Sequence, residues 1–383
     1  MGGEPDPRSR SSQMLTRRAL VVTGVAAAGG LLARRLTGQG ALTQNGTGVG
    51  DLVIRNARAL DAEAPLHALQ AFQTAPEHFF VRSHFGPPTQ LPLAWSLNID
   101  GLVQRPVSLS LDEIRRLGGE PRPVTLECAG NGRGVFRLPS TSGVQWEYGA
   151  VSTAMWTGVP LSVLLERAGL MAQAGHFWME ALDRAPAGDV PRFLRSIPRA
   201  VALDDAFIAY EMDGRPIPLL HGGPLRLIVP GWFGMASTKW LTHVHAMPVE
   251  SDNHFMSHGY RYADGTAVTT MVTKSVIAAP LANQRVRAGV VVMRGQAWSG
   301  AADVRSVDVS TDGGHTWQPA RLQGSARRGA WRSWEAATEL NSGPAVLMAR
   351  ATDSAGVTQP MQATPNSGGY ANNSIHRVPV HVE

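Results

Sequence analysis

The chain has 383 residues, 43% of them hydrophobic and 17% charged, with 41 Gly, 26 Pro and one Cys. That length predicts about two or three domains, and the apolar share excludes global disorder. A single cysteine excludes an internal disulfide framework, a multi-cysteine zinc or iron–sulfur site and a covalently attached c-type haem. The net charge of +5 is weak ground for nucleic acid, because Arg8, Arg10, Arg17, Arg18, Arg34 and Arg35 all precede residue 40. The remainder is near balance and carries no basic stripe of the kind a nucleic-acid binder needs. Lysine occurs only at Lys239 and Lys274.

Arg17-Arg18 stand before an uncharged, Ala- and Gly-rich run from Ala19 to Ala33. As a helix that run would span about 22 Å, short of the ~30 Å hydrocarbon core, so it reads as an export signal and not as an anchor. Thr16-Arg17-Arg18 with Leu20 and Val21 behind it has the pattern of a twin-arginine signal, a route for folded proteins. An ordinary secretory signal with an incidental second Arg is the plainer alternative. Residues 1–45 are read as this signal and its linker, with 41–62 a Gly-rich approach to the first ordered segment. No other stretch approaches 18 apolar residues, so a periplasmic protein without stable membrane insertion is expected.

From 63 to 275 the chain mixes short strands with amphipathic helices. Leu111–Leu117 has helical spacing and ends at Gly118-Gly119. Val159–Gly169 starts with Pro160 in its first turn and stops at Gly. Residues 225–229 and 240–245 read as strands. From 276 to 383 the pattern becomes strands alone, at 290–298, 304–310, 345–353 and 377–382, with Asp312-Gly313-Gly314 as a hairpin turn. The fold class is therefore α+β, followed by an all-β sandwich of immunoglobulin type held without a cysteine pair. Trp298, Trp317, Trp331 and Trp334 are expected in its core or at an interface.

Chemistry points first to Cys128, where the apolar run 124–126 empties into Gly130-Asn131-Gly132-Arg133-Gly134. A lone cysteine is usually a small buried hydrophobe. Here it stands at a strand end before small residues, and Arg133 would favour the thiolate, a soft ligand for a transition metal. One protein ligand cannot hold a metal alone, so other donors are required. The Gly-rich stretch lacks the Lys-Ser/Thr of a phosphate loop and the dinucleotide spacing. In extended backbone Phe80, Arg82 and His84 share one face. His221, Arg226 and Lys239 flank apolar strands beside glycines, the arrangement an anionic, phosphate-bearing ligand needs. His243 and His245 could face one side of a strand, but no third ligand is near in sequence, so a core or surface pair is the simpler assignment.

Taken together, these segments resemble the sulfite oxidase family of molybdenum enzymes, in its stand-alone exported bacterial branch. The resemblance covers about 70–383. It is carried by 80–84, by Cys128–Arg133, by Trp146 with 149–161, by 209–214, by the His221-to-Trp240 block, and by 295–300 and 307–314. It implies a molybdopterin-binding domain at 63–275 and a dimerisation domain at 276–383, hence a homodimer. It implies a molybdenum–molybdopterin cofactor with Cys128 as the thiolate on the metal. Phe80, Arg82, His84, Asp183, His221, Arg226, Ser237, Thr238 and Lys239 would cradle the pterin and its phosphate. Arg82, Arg133 and Trp146 would form the substrate anion pocket, with Tyr260 as its phenol. The implied reaction is oxidation of sulfite or a related sulfur oxyanion by oxygen-atom transfer, with electrons passing to an external c-type cytochrome. A further anion-binding Arg of the eukaryotic pattern falls near Gly368 here, which leaves that arm absent or supplied by another residue such as Arg332 or Arg377. The rivals are a sulfane dehydrogenase subunit, a sulfoxide reductase, and a non-enzymatic binding protein on the same scaffold.

Overall fold

Two mixed-composition sheets build the first part of the molecule. The computed structural model describes Met1 and residues 51–383 apart from 137–140, 186, 187 and 189. The export-signal reading at Arg17-Arg18 lies outside the described residues. Val49–Glu383 forms one compact unit. No helix among the described residues is long and apolar enough to cross a membrane.

In the first sheet the strand order is Val107–Ser110, Ser96–Gly101, Leu241–Met247, His176–Ala181, Arg195–Pro198. Ser96–Gly101 runs parallel to Leu241–Met247 and the other pairings are antiparallel. The second sheet is wholly antiparallel, in the order Arg215–Pro216, Phe207–Met212, Val151–Pro160, Arg122–Glu127, with Arg226–Ile228 also paired to Phe207–Met212. Both interior strands of this sheet are buried on nearly every residue, so they read as continuous apolar runs and not as alternation.

Short helices fill the sheet edges. Leu111–Arg116 begins with a full capping box between Ser110 and Glu113, which satisfies two orphan backbone donors. Leu161–Ala168 buries Leu161, Leu164, Leu165 and Ala168 and ends on the left-handed Gly169. Pro160 is the last strand residue before this helix, one position earlier than its expected place in the first turn.

Residues 51–62 differ from the linker expected there. Val53–Asn56 and Asp61–Glu63 pair as an antiparallel hairpin, and Asp61, Ala62 and Glu63 are all buried. Glycine content upstream concealed two buried carboxylates with cationic partners.

The C-terminal part is a sandwich of two sheets. One runs Lys274–Ala279, Gly289–Trp298, Arg332–Leu340, Arg321–Leu322, and the other Arg285–Val286, His376–Val382, Gly343–Asp353, Val304–Ser310, Gln318–Pro319. His376–Val382 alternates buried and exposed along its whole length, as a strand with one face on the core must. Trp298, Trp331 and Trp334 are buried, whereas Trp317 is half-buried under the Arg350 guanidinium at 4.2 Å. The sandwich is packed on the first part through Lys274, whose ammonium reaches Glu127 at 3.1 Å.

Candidate active site

The strand Arg122–Glu127 delivers Cys128 to a tight loop. The Asn131 amide N–H donates to the Cys128 carbonyl, and Asn131 in turn bonds Glu127 and the Ala150 N–H through its side chain. Gly132 has φ +91°, open to glycine without strain. A Cβ at Gly130 would stand 2.7 Å from the Arg133 guanidinium, so only glycine lets that side chain fold back beside the cysteine. Glu127 is enclosed by Lys274 at 3.1 Å, the Trp298 indole N–H at 2.9 Å and the Asn131 amide at 2.9 Å. The cysteine thus sits on a fully hydrogen-bonded, buried base.

Cys128 lies where two cavities meet. One cleft is lined by Phe79, Phe80, Arg82, Ser83, His84, Asp183, residues of the His221-to-Trp240 block and Tyr260. The second cavity, a mouth, shares Arg82, His84, Cys128 and Tyr260 with it and adds Arg133, His254, Phe255 and Tyr370. The sulfur is part of the wall of both cavities and the residue is half-buried. Burial therefore pushes the Cys128 thiol up, although Arg82 and Arg133 pull it down. The pull of Arg133 toward the thiolate is present as expected, but burial outweighs it, and a bound metal would add its own charge in favour of the thiolate.

The deep cleft collects more cationic groups than anionic ones, with Asp183 the carboxyl on its wall. Arg226 is buried and donates to the carbonyls of His221 at 2.8 Å and Ser237 at 3.2 Å. Lys239 reaches the Leu220 carbonyl at 3.1 Å. His221 bonds the Pro76 carbonyl through Nε2, which must carry the hydrogen because a carbonyl only accepts. Among the described residues none of the three makes an ion pair. Burial brings Arg226 down to about 9, Lys239 to about 7 (helped by Arg226) and His221 to about 3. Burial also lifts the Asp183 carboxyl to about 6 against the pull of Lys239. The Thr238 hydroxyl is buried with no partner. The buried Arg226 and half-buried Lys239 without ion pairs, beside a neutral imidazole and an orphaned hydroxyl, fit a phosphate-bearing ligand. The residues present fit a molybdopterin: His221, Arg226, Ser237, Thr238 and Lys239 would hold its phosphate, and Cys128 its metal.

At the mouth, Arg82 pairs with the fully buried Asp61 at 3.1 Å and also donates to the Ser83 carbonyl. Burial disfavours the Arg82 cation, but the charges around it, Tyr260 and Asp61 first, raise its pKa overall. Among the described residues Arg133 has no carboxylate partner; its Nη1 donates to the Val144 carbonyl at 2.9 Å and its guanidinium lies 5.5 Å from the centre of the Tyr370 ring. Tyr260 has φ +56°, a strained value for a non-glycine residue and one that clusters at functional sites. Its hydroxyl is 3.0 Å from His84 Nε2. Burial, followed by the charges of Arg82 and Arg195, holds His84 well below its usual range, so the ring is neutral. Burial pushes the Tyr260 phenol up to about 12, leaving it a donor at physiological pH.

The structure brings the expected site residues to these cavities with one exception. Trp146 lines neither; it is fully buried in the core layer with Phe79, Phe80 and Trp156, and its indole N–H has no partner. Its backbone carbonyl takes the Gly134 N–H, which fixes the segment whose Val144 carbonyl holds Arg133. Neither suggested substitute for the missing cation reaches the mouth: Arg332 donates to the Val304 and Gly324 carbonyls, and Arg377 is exposed on the sandwich. Tyr370 occupies that wall instead, with its ring stacked 5.5 Å from that of Tyr260. His243 and His245 do stack, at 5.2 Å, but His245 bridges Asp100 and Glu180. No cluster of three or more His, Cys, Asp or Glu side chains able to hold a metal occurs among the described residues. Sequence reasoning missed Asp61, Phe193, Arg195 and Tyr370; only the aromatic at 370 beside Gly368-Gly369 offered a signal.

Comparison with known proteins bears on the same cavities. Residues 84–255 match the family model of the oxidoreductase molybdopterin-binding domain, and 265–383 that of the Mo-co oxidoreductase dimerisation domain. The chain is 34% identical over 360 residues to mitochondrial sulfite oxidase of Homo sapiens, covering 86% of this chain and 66% of that protein. It is 35% identical over 355 residues to sulfite oxidase of Gallus gallus, covering 85% and 77%. The solved structure of the sulfane dehydrogenase SoxCD from Paracoccus pantotrophus matches with a TM-score of 0.76 at 26% identity, over 100% of both chains. The chain thus spans just under two-thirds of the human relative's length.

Proposed function

The chain belongs to the sulfite oxidase family of molybdopterin oxidoreductases, and from that premise we propose that it oxidises sulfite, or a related sulfur oxyanion, by oxygen-atom transfer. The observation that carries the reading is the position of Cys128 between a cleft with unpaired cations and a mouth walled by arginine. When bound, the molybdenum cofactor supplies a two-electron centre that exchanges an oxygen atom with substrate.

The protein's own groups account for the rest. Arg133 offers positive charge without a competing carboxylate, so a sulfur oxyanion that sheds its water is compensated there. Arg82 is fixed by Asp61 and presents its remaining donors in one orientation. Tyr260 and His84 share one hydrogen across 3.0 Å. If His84 carries its hydrogen on Nε2, the phenol is free to donate to the anion. The aromatic wall of Phe255, Tyr260 and Tyr370 limits water beside the reacting atoms.

The remaining parts of the proposal have their own supports. Arg17-Arg18 support export to the periplasm in folded form. A dimerisation-type C-terminal domain supports a homodimer. One cysteine cannot attach a c-type haem, which supports an external c-type cytochrome as electron acceptor. A second reading, a sulfane dehydrogenase subunit, is favoured by the uncharged Gly368 and by Tyr370 in the mouth. Metal analysis with three assays decides among them. We expect about one molybdenum per chain and sulfite-dependent reduction of cytochrome c. Activity only on protein-bound sulfane sulfur, or only on methionine sulfoxide with an added reductant, would move the assignment to the rival enzymes. A correctly matured protein without molybdenum would leave only a binding protein, and Cys128→Ser with unchanged metal and turnover would remove Cys128 from the metal site.

A further inference from the structure

Arg195 is a buried cation with no role in the site as described. It opens the strand Arg195–Pro198 and is 3% exposed. One of its Nη atoms donates to the Phe255 carbonyl, while its Nε is buried without a partner. No carboxylate among the described residues is in ion-pair contact with it, and the nearby Glu250 is engaged by Arg261 at 2.6 Å. Its guanidinium lies 5.1 Å from the centre of the Tyr260 ring. Phe255 and Tyr260 both wall the mouth, so the cation stands directly behind that wall. Its charge is felt by His84 as well as by Tyr260.

A buried guanidinium without a carboxylate is unfavourable unless something else meets its charge. The same holds for Arg133, which lines the mouth and lies 5.5 Å from the Tyr370 ring. Arg82, by contrast, is matched by Asp61. The uncompensated positive charge at the mouth therefore comes from Arg133 and Arg195. A cation over the face of a phenol also draws electron density from its oxygen and strengthens the O–H as a donor.

We propose that Arg195 is the third cation of the anion site, a positioning residue that acts through Tyr260 and supplies from behind the wall the charge that Gly368 does not. The inference rests on the reading of the mouth as a site for a small sulfur oxyanion. It adds a residue that the motifs do not mark, placed behind Phe255 and Tyr260 and not at position 368.

The test uses purified holoenzyme of wild type, Arg195→Gln and Arg195→Lys, with molybdenum content measured for each. Sulfite KM and kcat are determined, and sulfate binding is measured independently by calorimetry. The Gln variant keeps a donor for the Phe255 carbonyl and loses the charge; its sulfite KM and sulfate Kd should both rise about ten-fold, with most of the loss in KM and not in kcat. The Lys variant should hold both within about two-fold of wild type. Unchanged KM and Kd in the Gln variant overturn the proposal, as do equal losses in Gln and Lys variants of full molybdenum content, since those mark a packing role. If the Gln variant does not accumulate, a rise of about five-fold or more in the Lys variant alone has the same force. Should wild type oxidise no sulfite, the functional reading falls, and the sulfate arm still decides the role of Arg195.

Discussion

The Nε of Arg133 donates to the carbonyl oxygen of Gly368 at 3.0 Å, joining the cysteine loop to the last segment of the chain. That bond holds the loop from which Tyr370 reaches Tyr260. A Cβ at 368 would stand 2.2 Å from the Tyr370 ring. Installing the family's arginine, Gly368→Arg, must therefore displace Tyr370. We expect the sulfite kcat/KM to fall by roughly ten-fold or more, and Gly368→Arg with Tyr370→Ala to recover part of the loss. A single variant with improved sulfite kcat/KM would contradict this account of the wall.

Lys239 should affect cofactor and fold in opposite directions. The apoprotein keeps a buried ammonium near an unpaired guanidinium, a strained arrangement without the ligand. Lys239→Met should lower molybdenum per chain while raising apoprotein stability by roughly 1–4 kcal/mol. Metal analysis of the matured protein and urea unfolding of protein made without cofactor give the two signs. A variant that loses stability in the apo form would mean that the lysine is structural.

The Glu127–Lys274 pair is buried on both sides. Removing one partner strands the other, so Lys274→Met is expected to destabilise by about 3–5 kcal/mol. Adding Glu127→Gln to it should restore a large share, because the uncompensated carboxylate is gone. Denaturant midpoints of the two single variants and the double one check the coupling; additive losses would show that the pair does not interact.

Acid sensitivity should trace in part to His376. Burial, with some help from the charge of Lys274, brings this imidazole down to about 3 from an ordinary 6.5, and its Nδ1 accepts the Ile277 N–H. Between those values the unfolded chain binds a proton that the folded one refuses. Stability is thus complete above pH 6.5 and falls as pH drops toward 3, by up to about 5 kcal/mol. His376→Asn, which keeps an acceptor near the Nδ1 position, should flatten that slope between pH 6.5 and 4. An unchanged slope would assign the acid sensitivity elsewhere.

Much of the site could be read from residue types. The alternation of Phe80, Arg82 and His84 identified one wall, and Lys239, as one of two lysines, identified the cation cleft. Burial was not legible. It outweighs the pull of Arg133 on Cys128, and it places Trp146 in the core layer with Phe79, Phe80 and Trp156. Asp61 was hidden because its neighbours resemble a linker, and its value appears only when Arg82 folds onto it. Arg195 was one arginine among Arg184, Arg192 and Arg199, and only the packing of Phe255 and Tyr260 distinguishes it. The sandwich strands were legible from alternation, since each has one face on the core.

Lys274 belongs to the first strand of the sandwich, yet its ammonium also takes the Asn131 carbonyl at 3.2 Å, inside the loop of the reactive sulfur. The two family modules thus share one ion pair beneath the reactive sulfur. Severing the chain upstream of that lysine would strip the Glu127 carboxylate of its ammonium and its indole donor, so the cysteine loop is expected to lose its fixed base along with the sandwich.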